Sequence, residues 1–350
     1  MKFDLTLTSI VFLLLLFGLI FFYNLSITYS LKISSDKYLY FKKFFLNNFL
    51  IPILFFFIAN FLGWKFFQRW AKLIFIISFI FLILPFFDYF KLADQTTARW
   101  FYLKFLNLSF QPSEFIKFSL ILFLSSVLPL IKKNKEYFFI ALAVIVIVIG
   151  IIYLQPALST LLIIISSIIG GFIGSNFSLR SFFIFFLILV ILLSFGLMWS
   201  YRLERIVNIF NFDEKSVGYQ LKQSRLAIGS GGLLGKGLGK SEVKLIHLPL
   251  MINDNIFSIY AEEFGFIGSI ALIFIFLILI FRIFSLGINS KNDSQKFFIF
   301  AVGCWLSSQV FIHLIANLLI TTGVPLPFFS YGPSSQLAIM ISLGIINSLK

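Results

Sequence analysis

The chain has 350 residues, of which 60% are apolar and 12% are charged. A water-soluble domain of this size needs a far larger charged surface, so the composition excludes an ordinary soluble protein. The formal net charge is +14, but the basic residues occupy short stretches between long apolar runs. This arrangement favours anionic lipid headgroups over nucleic acid as their partner.

Apolar runs of about 18 or more residues recur along the chain, and this length spans a bilayer core as a helix. They predict an all-α integral membrane protein of about ten transmembrane helices, with residues 1–350 forming a single membrane domain. The first run is too long for a signal sequence and lacks a small-residue cleavage site, which predicts an uncleaved first span. The predicted spans are 8–28, 45–63, 73–90, 113–131, 137–154, 157–174, 181–200, 256–283, 297–319 and 334–349.

A long polar segment, about 201–255, separates the seventh and eighth predicted spans. An even number of spans puts both termini on one side of the membrane and this large loop on the other. Charge mildly favours a cytoplasmic N-terminus, because Lys65, Arg69 and Lys72 in the predicted loop after the second span would then lie inside. The lysines of the first outer loop oppose that orientation.

Glycines cluster in this polar segment, from Gly229 to Gly239. Glycine lets backbone N–H groups turn toward a ligand, and such a nest suits phosphate. The cluster is surrounded by basic side chains and opposed by Glu242. The basic residues are Lys215, Lys222, Arg225, Lys236, Lys240 and Lys244. The pattern fits a site for a lipid-linked phosphate or pyrophosphate, and it also fits a flexible loop that contacts lipid headgroups.

Several carboxylates lie at or inside predicted spans. Asp254 directly precedes an apolar span, where it could cap a helix or act as a general base in low-dielectric surroundings. Glu262 and Glu263 lie inside that span, and intramembrane carboxylates face a partner or a polar cavity. Proton-relay, ion-pair and catalytic roles are all open for them. Glu114 and Lys117 are spaced i, i+3 on a helix, which favours a structural ion pair.

Metal-binding patterns are weak. His247 and His313 are isolated and lack the spacing of a zinc site. No cofactor is required by the sequence. A divalent cation such as Mg²⁺ or Mn²⁺ on a pyrophosphate would need one or two carboxylates, so the sequence is compatible with such an ion. The uncharged, proline-rich stretch Gly323–Gly332 lies between two spans, and irregular backbone at membrane depth must line a cavity or be buried in protein.

Short sequence blocks follow one another in a definite order from Arg99 to the C-terminus. They are Arg99-Trp100, Gln111-Pro112-Ser113-Glu114 with Lys117, Gln155-Pro156, Gly218-Tyr219-Gln220, Ala227-Ile228-Gly229-Ser230-Gly231-Gly232, Gly235-Lys236-Gly237-Leu238-Gly239, Leu248-Pro249, Asp254 with Phe257, Glu262-Glu263 with Gly265, and Gly323-Val324-Pro325-Leu326-Pro327-Phe328 through Ser330-Tyr331-Gly332. In this order they resemble the SEDS family of bacterial peptidoglycan polymerases, which includes FtsW, RodA and SpoVE. The run Gly237–Ser241, followed by Lys244, is most similar to FtsW.

The resemblance implies a ten-span fold in the bacterial inner membrane, with both termini cytoplasmic. It implies a glycosyltransferase whose active site, on the extracytoplasmic face, polymerises lipid II, the undecaprenyl-pyrophosphate-linked disaccharide peptide, during cell division. The implied partners are a class B penicillin-binding protein of the FtsI type and other divisome proteins. The alternatives are a RodA-like polymerase of cell elongation, a lipid II flippase, and a division scaffold with impaired catalysis.

The resemblance also implies roles for individual residues. Asp254 is the catalytic residue, expected to act as general base on the acceptor hydroxyl. The residues expected to bind substrate are Arg225, Lys236, Lys240, Lys244, Gln111 and Ser330. Those expected to support the cavity are Glu114, Lys117, Glu262, Glu263 and Arg99.

The sequence departs from the family pattern at three places. Ala157 and Ser159 stand where the family usually has aspartate and glycine. The usual Glu-x-His-Thr before the catalytic aspartate is replaced by Leu250-Met251-Ile252-Asn253. Pro333 replaces the second glycine of Ser-Tyr-Gly-Gly. Asp254 therefore lacks its usual polar neighbours along the chain, which makes the impaired scaffold a real alternative.

Overall fold

A computed structural model of the protein describes residues 3–33, 36–87, 100–103, 108–155, 157–175, 217–242, 252–319 and 322–349. Its longer elements are helices, together with one π-helical turn (Phe45–Leu50) and one 3₁₀ turn (Leu84–Phe86). The helices are α1 (Leu5–Ile33), α2 (Leu39–Phe44), α3 (Ile51–Ile83), α4 (Pro112–Lys133), α5 (Lys135–Leu154), α6 (Leu158–Gly174), α7 (Val217–Ser230), α8 (Ile256–Asn289), α9 (Asp293–Leu318) and α10 (Pro333–Asn347). Two short antiparallel strands, β1 (Phe101–Leu103) and β2 (Leu108–Phe110), pair Phe101 with Phe110.

Long apolar helices dominate the described part of the chain. Six helical segments there are long and apolar enough to cross a membrane, and the apolar helix α6 is shorter. The six are Leu5–Leu31, Leu39–Phe86, Pro112–Lys133, Glu136–Leu154, Ile256–Asn289 and Asp293–Leu318. The predicted all-α, multi-pass membrane fold is therefore confirmed. The seventh predicted span, 181–200, lies outside the described residues, and the count of ten spans stays a prediction.

Helix α4 lies at the centre of the bundle, against α3, α9 and α10. It begins with Pro112 at its first position, where the missing N–H costs nothing, and it ends with Lys132 and Lys133, which suit the negative end of the helix dipole. Outer helices expose large apolar side chains instead, such as Phe61 and Phe281, which are 69% and 75% exposed. A helix that is apolar all round suits contact with lipid.

Polar contacts define two ends of the bundle. At one end the Asp4 carboxylate pairs with Arg282 near the end of α8, and the Asp4 amide donates to Asn347 Oδ1 at 3.2 Å. Lys132 pairs with Asp293 at 2.6 Å at this end too, since α9 begins just after α8 finishes. Asp254, directly before α8, lies at the opposite end. We refer to these as the Asp4 end and the Asp254 end.

The stretch Leu39–Phe86 crosses the bundle twice. Its 48 residues would measure about 72 Å as one helix, more than twice the thickness of a bilayer core. The backbone is non-helical at Gly63, with φ 69° and ψ 173°. Before Gly63, Asn60 Oδ1 accepts from Asn347 at 3.1 Å at the Asp4 end. After it, the Leu82 carbonyl accepts from Gln155, which follows α5 at the Asp254 end, at 3.0 Å.

Two crossings in this stretch agree with the predicted spans, but the predicted loop between them is wrong. The second arm of α3 begins directly after Gly63, so Lys65, Arg69 and Lys72 lie on a helix. All three side chains are exposed, while Trp64 and Ala71 on the opposite face are buried. The polar residues that suggested a loop instead lie on the exposed side of a helical segment, together with apolar residues such as Phe66 and Trp70.

Candidate functional site

Asp254 is held through its own backbone. It lies two residues before α8, whose first flanking residue is Asn255, so Asp254 itself is not the helix cap. The Asn317 amide nitrogen donates to the Asp254 carbonyl at 3.1 Å. Asn317 is fully buried and accepts a hydrogen bond from the Ser258 hydroxyl. Asp254 is half-buried as a residue.

The proline-rich segment, residues 322–332, holds the two residues before Asp254. The Ser330 hydroxyl donates to the Asn253 carbonyl at 2.6 Å and accepts from the Leu326 amide at 2.9 Å. The Tyr331 amide donates to the Ile252 carbonyl at 2.9 Å. Ser330 is buried, so its hydroxyl serves the protein's own backbone. Its predicted contact with substrate stays a prediction.

The same segment penetrates deep into the bundle. A Cβ built on Gly18, near the middle of α1, would lie 2.2 Å from the Phe328 carbonyl oxygen, so only glycine fits there. Phe328 has a positive φ of 68°, which costs a residue with a side chain roughly 1–2 kcal/mol. The Gln336 side chain accepts from the Phe328 amide at 2.9 Å and helps to hold this conformation. Irregular backbone buried in protein at membrane depth agrees with the prediction for this segment.

A buried ion pair lies below the proline-rich segment. Lys117 Nζ is 2.8 Å from Glu114, and both side chains are almost fully buried, which confirms the predicted pairing. The Lys117 ammonium lies 5.2 Å from the centre of the Trp305 ring. It also donates to Gln309 Oε1 at 3.4 Å, as does the Trp305 indole at 2.8 Å.

Gln309 connects this ion pair to the proline-rich segment. Its amide nitrogen donates to the Pro325 carbonyl and to the Ser335 hydroxyl, each at 3.0 Å. Gln309, His313 and Asn317 lie on one face of α9, because they are spaced four residues apart. Their regular spacing in the sequence could have identified these three residues as one polar face, but the sequence motifs did not include them.

Glu262 fastens the loop after α7 to α8. This glycine loop, residues 231–242, approaches a carboxylate that is fully buried. Glu262 accepts from Lys236 Nζ at 2.9 Å, from the Glu242 amide at 3.1 Å and from the Ser241 hydroxyl. The hydrogen bond to Glu262 raises the pKa of Lys236. Lys236 is therefore engaged by a carboxylate, and its predicted role in binding substrate stays a prediction.

The glycine loop also completes a broken helix. The backbone of α8 is non-helical at Gly265, with φ 67° and ψ −165°, so nearby helical hydrogen bonds are lost. Four bonds to the loop replace them. They are Lys236 N to Glu262 O at 3.0 Å, Gly237 N to Glu263 O at 2.9 Å, Phe266 N to Gly232 O at 2.9 Å, and Ile267 N to Leu233 O at 3.1 Å. The phosphate-nest interpretation is wrong for the Lys236 and Gly237 amides, because α8 already uses them.

Glycine is required where the loop and the helix touch. A Cβ on Gly235 would lie 2.3 Å from the Glu263 carbonyl oxygen, and one on Gly265 would lie 2.3 Å from the Gly235 amide nitrogen. Both residues have positive φ, which side chains disfavour. Close backbone packing thus explains Gly235 in the loop and Gly265 in the helix.

Arg225, one of the predicted basic residues, is linked to the residues that hold Asp254. Its guanidinium Nε donates to the Leu318 carbonyl at 2.8 Å, beside Asn317, and is otherwise exposed. The neighbouring Ser224 hydroxyl donates to Asn255 at 3.2 Å. Lys240 is exposed on the glycine loop. Two other predicted residues, Lys244 and Arg99, lie outside the described residues.

The described part of the chain holds no cluster of three or more histidine, cysteine or acidic residues that could bind a metal ion. His313 is fully buried, and its Nδ1 lies 2.7 Å from the Val324 carbonyl. Since a carbonyl only accepts, Nδ1 carries the proton. His313 is thus a fixed contact of the proline-rich segment, and His247 lies outside the described residues.

Comparison with known proteins decides the family. The sequence profile of the FtsW/RodA/SpoVE family, described as cell cycle proteins, matches residues 5–350. The chain belongs to this family. A probable peptidoglycan glycosyltransferase FtsW from Wigglesworthia glossinidia brevipalpis is 31% identical over 343 residues, which cover 94% of this chain and 88% of the relative. The stage V sporulation protein E of Bacillus subtilis is 32% identical over 98% of this chain and 95% of its own length.

Solved structures share the fold of this FtsW/RodA/SpoVE member. Thermus thermophilus RodA, a rod shape determining protein, superposes with a TM-score of 0.70 at 23% identity, covering 99% of this chain and 96% of RodA. A chain from a peptidoglycan synthase complex superposes with a TM-score of 0.75 at 21% identity, covering 99% of this chain and 97% of that one.

The structure also shows what occupies the positions that depart from the family pattern. Pro333 is the first residue of α10, where proline's missing N–H is tolerated. Ile252 is buried, and Asn253 Oδ1 is buried without a hydrogen-bond partner among the described residues. Ala157 and Ser159 lie at the start of α6, and Leu250 lies outside the described residues. Contacts from α9 and the proline-rich segment hold Asp254 where the usual polar neighbours along the chain are missing.

Proposed function

We propose that this protein is an FtsW-like peptidoglycan glycosyltransferase that polymerises lipid II during cell division, with Asp254 as general base. The single observation that carries the proposal is the geometry of Asp254. It is a half-buried aspartate at the boundary of a membrane helix, and hydrogen bonds from Asn317 to its own carbonyl and from Ser330 to the Asn253 carbonyl fix the backbone there. The names of the relatives and the family membership support the same reaction class.

The reaction joins the acceptor sugar to the donor sugar. The acceptor 4-hydroxyl oxygen attacks the anomeric carbon of the donor, the bond from that carbon to the lipid pyrophosphate breaks, and the pyrophosphate leaves with the electron pair. Asp254 takes the hydroxyl proton as the new bond forms. A carboxylate fixed through its backbone suits this role, because a base must stay within hydrogen-bond reach of the proton it removes.

Positive charge is needed where the pyrophosphate leaves. Arg225 bonds to the Leu318 carbonyl, next to the Asn317 that holds Asp254, and its side chain is exposed. Such a group suits a departing phosphate oxygen, since arginine forms paired hydrogen bonds with phosphates. Lys240 is a second exposed cation on the glycine loop. Gln111 and Lys244 complete the proposed substrate contacts, while Glu114, Lys117, Glu262 and Glu263 support the cavity.

The proposed setting follows from this chemistry. The protein would lie in the bacterial inner membrane with the Asp254 end on the extracytoplasmic face, where lipid II is joined into glycan strands. Its proposed partners are a class B penicillin-binding protein of the FtsI type and other divisome proteins. A structural relative of this chain was solved within a peptidoglycan synthase complex, which supports a protein partner.

Two alternative functions are favoured by specific observations. The fold is shared with RodA, which supports the same polymerase reaction in cell elongation. The apolar Ile252 and the Asn253 Oδ1 atom, which has no hydrogen-bond partner among the described residues, precede Asp254 and support a division scaffold with impaired catalysis. A lipid II flippase is a further alternative, because passive flipping needs no energy-coupling motif. It is distinguished from a polymerase because it moves lipid II without forming glycan.

A glycan-polymerisation assay tests the proposal. The full chain, purified with its penicillin-binding partner, is incubated with lipid II and the products are separated on a gel. Asp254→Asn keeps the shape of the side chain but removes the base, and we expect glycan formation to fall by at least about 10²-fold. The control is Asp36→Asn, which changes an aspartate that pairs with Lys42 at 2.9 Å at the same end of the bundle.

The outcomes separate the functions. Normal glycan from Asp254→Asn would contradict the general-base role. No glycan from the unmodified protein with a verified partner would support the scaffold. Transfer of lipid II across vesicles without polymerisation, unchanged by Asp254→Asn, would support the flippase.

A further inference from the structure

A polar cavity opens at the Asp4 end, far from Asp254. Its volume is about 400 Å³. It lies where the chain reverses at Gly63, between the second arm of α3 and the beginning of α9 and the end of α10. Residues that line it include Gly63, Trp64, Lys65, Gln68, Gln295 and Ser348.

The cavity wall offers hydrogen-bond donors and one positive charge. Lys65 supplies the charge, and none of the described lining residues is acidic. Two of the wall's amide oxygens are already occupied. Gln295 Oε1 accepts from the Ser290 hydroxyl at 3.1 Å, and Asn292 Oδ1 accepts from the Ser294 amide at 2.9 Å. The amide nitrogens of these two side chains remain as donors, so the wall suits an anion.

Two buried polar atoms beside the cavity lack partners. The Trp64 side chain lines the cavity and is 6% exposed, and its indole nitrogen has no hydrogen-bond partner among the described residues. The Ser294 hydroxyl lies in sequence between the lining residues Asn292 and Gln295. It is buried and has no hydrogen-bond partner among the described residues. A buried donor without a partner is costly and calls for an explanation. Because the Trp64 side chain lines the cavity, its indole N–H is the candidate buried donor for an anion bound there.

The surroundings of the cavity point to a lipid. Lys65, Arg69 and Lys72 are spaced to form one exposed row on the second arm of α3. Between them Phe66 and Trp70 are also exposed. Basic residues interleaved with exposed aromatic rings are typical of the layer where a helix enters the lipid headgroups.

We propose that this cavity binds the phosphate group of an anionic phospholipid. Lys65 supplies the charge, and Trp64, Gln68 and Gln295 supply neutral donors. In the orientation proposed above the site faces the cytoplasmic leaflet. The site is independent of the glycosyltransferase chemistry at Asp254, so each is tested without the other.

Native mass spectrometry of the full chain in detergent tests the site. The protein is titrated with phosphatidylglycerol and, in parallel, with phosphatidylcholine, whose headgroup is neutral overall. We expect saturable binding of phosphatidylglycerol that Lys65→Gln weakens by about tenfold, as expected for the loss of one charge-assisted hydrogen bond. The matched control is Lys72→Gln, which removes the same charge from the same row but does not line the cavity, and we expect less than about a twofold change from it.

A second variant tests the buried donor. Trp64→Phe removes the indole N–H and keeps a ring to pack against Phe298, whose ring centre lies 5.4 Å from that of Trp64. We expect it to weaken phosphatidylglycerol binding several-fold with an unchanged unfolding temperature. Equal losses from Lys65→Gln and Lys72→Gln would overturn the site in favour of diffuse surface charge, as would equal binding of phosphatidylcholine. Saturable binding of inorganic phosphate without saturable binding of phosphatidylglycerol would overturn the lipid as the source of the phosphate.

Discussion

Three glycines at and near the glycine loop provide a graded test of whether this loop is locked into α8. Gly229 has an ordinary φ, and a Cβ there meets nothing within 4 Å. Gly232 has a positive φ of 58°, and a Cβ there also meets nothing within 4 Å. Gly235 has a positive φ of 81°, and its Cβ would lie 2.3 Å from the Glu263 carbonyl oxygen. Replacement by alanine should therefore cause no strain at Gly229, backbone strain at Gly232, and both backbone strain and a steric clash at Gly235.

The expected losses of unfolding free energy follow from these differences. Gly229→Ala should leave stability unchanged or raise it by up to about 1 kcal/mol, because it restricts the unfolded chain. Gly232→Ala should cost about 1–2 kcal/mol for the left-handed backbone. Gly235→Ala carries the same strain and also displaces the loop, which weakens the bonds donated by Lys236 and Gly237. The total should be about 2–5 kcal/mol.

The unfolding temperature of each purified variant is measured in detergent, with tryptophan fluorescence as the signal. The unfolding temperature should fall from Gly229→Ala to Gly232→Ala to Gly235→Ala. Equal unfolding temperatures for the last two variants would refute the reasoning, because they would show that the loop does not press against α8. A large loss from Gly229→Ala would show that the glycines serve another purpose.

Two further substitutions test the polar contacts below Asp254. Asn317→Ala should lower kcat by about 10²-fold with little change in KM, because Asp254 loses its backbone clamp and a small misplacement of a catalytic group is costly. The control is Asn24→Ala, which changes a partly exposed asparagine of α1, and an unchanged kcat for Asn317→Ala would contradict the positioning role. Lys117→Met should destabilise the protein by about 3–5 kcal/mol by leaving Glu114 charged, buried and unpaired. Adding Glu114→Gln should restore part of that loss in thermal unfolding, and a further drop in the double variant would show that the pair is not the source.

The membrane fold was predictable because its signal is local. A run of apolar residues as long as a bilayer is thick has few other uses, so the spans could be identified from their length. Span boundaries were harder, as the second arm of α3 shows. Lys65, Arg69 and Lys72 are polar enough to suggest a loop, but their spacing puts them on one exposed helix face. Composition shows that a segment contains polar residues, while their periodicity shows whether they lie on one face of a helix or in a loop.

The candidate site was less predictable because its contacts are distant in sequence. Asp254 was identified through an ordered set of motifs. The Asn317 contact that holds it comes from a residue more than sixty positions away, and no local pattern around Asp254 indicates it. The glycine loop shows the same limit. Its composition indicated backbone amides turned toward a partner. Only the structure shows that, for the Lys236 and Gly237 amides, this partner is α8 and not a phosphate.

The break at Gly265 makes the glycine loop and the beginning of α8 a single mechanical unit. Pulling the loop away would leave four backbone groups of α8 and their four partners unpaired, at a cost of roughly 1–3 kcal/mol for each group that stays buried. Two of the four bonds are made by the arm before Gly265 and two by the arm after it, so the loop holds the two arms of α8 in one arrangement, and Asp254 lies just before the first arm. Leu234, in the same loop, is 80% exposed. A ligand that displaced the loop through this leucine would therefore change the angle between the two arms and, with it, the position of Asp254.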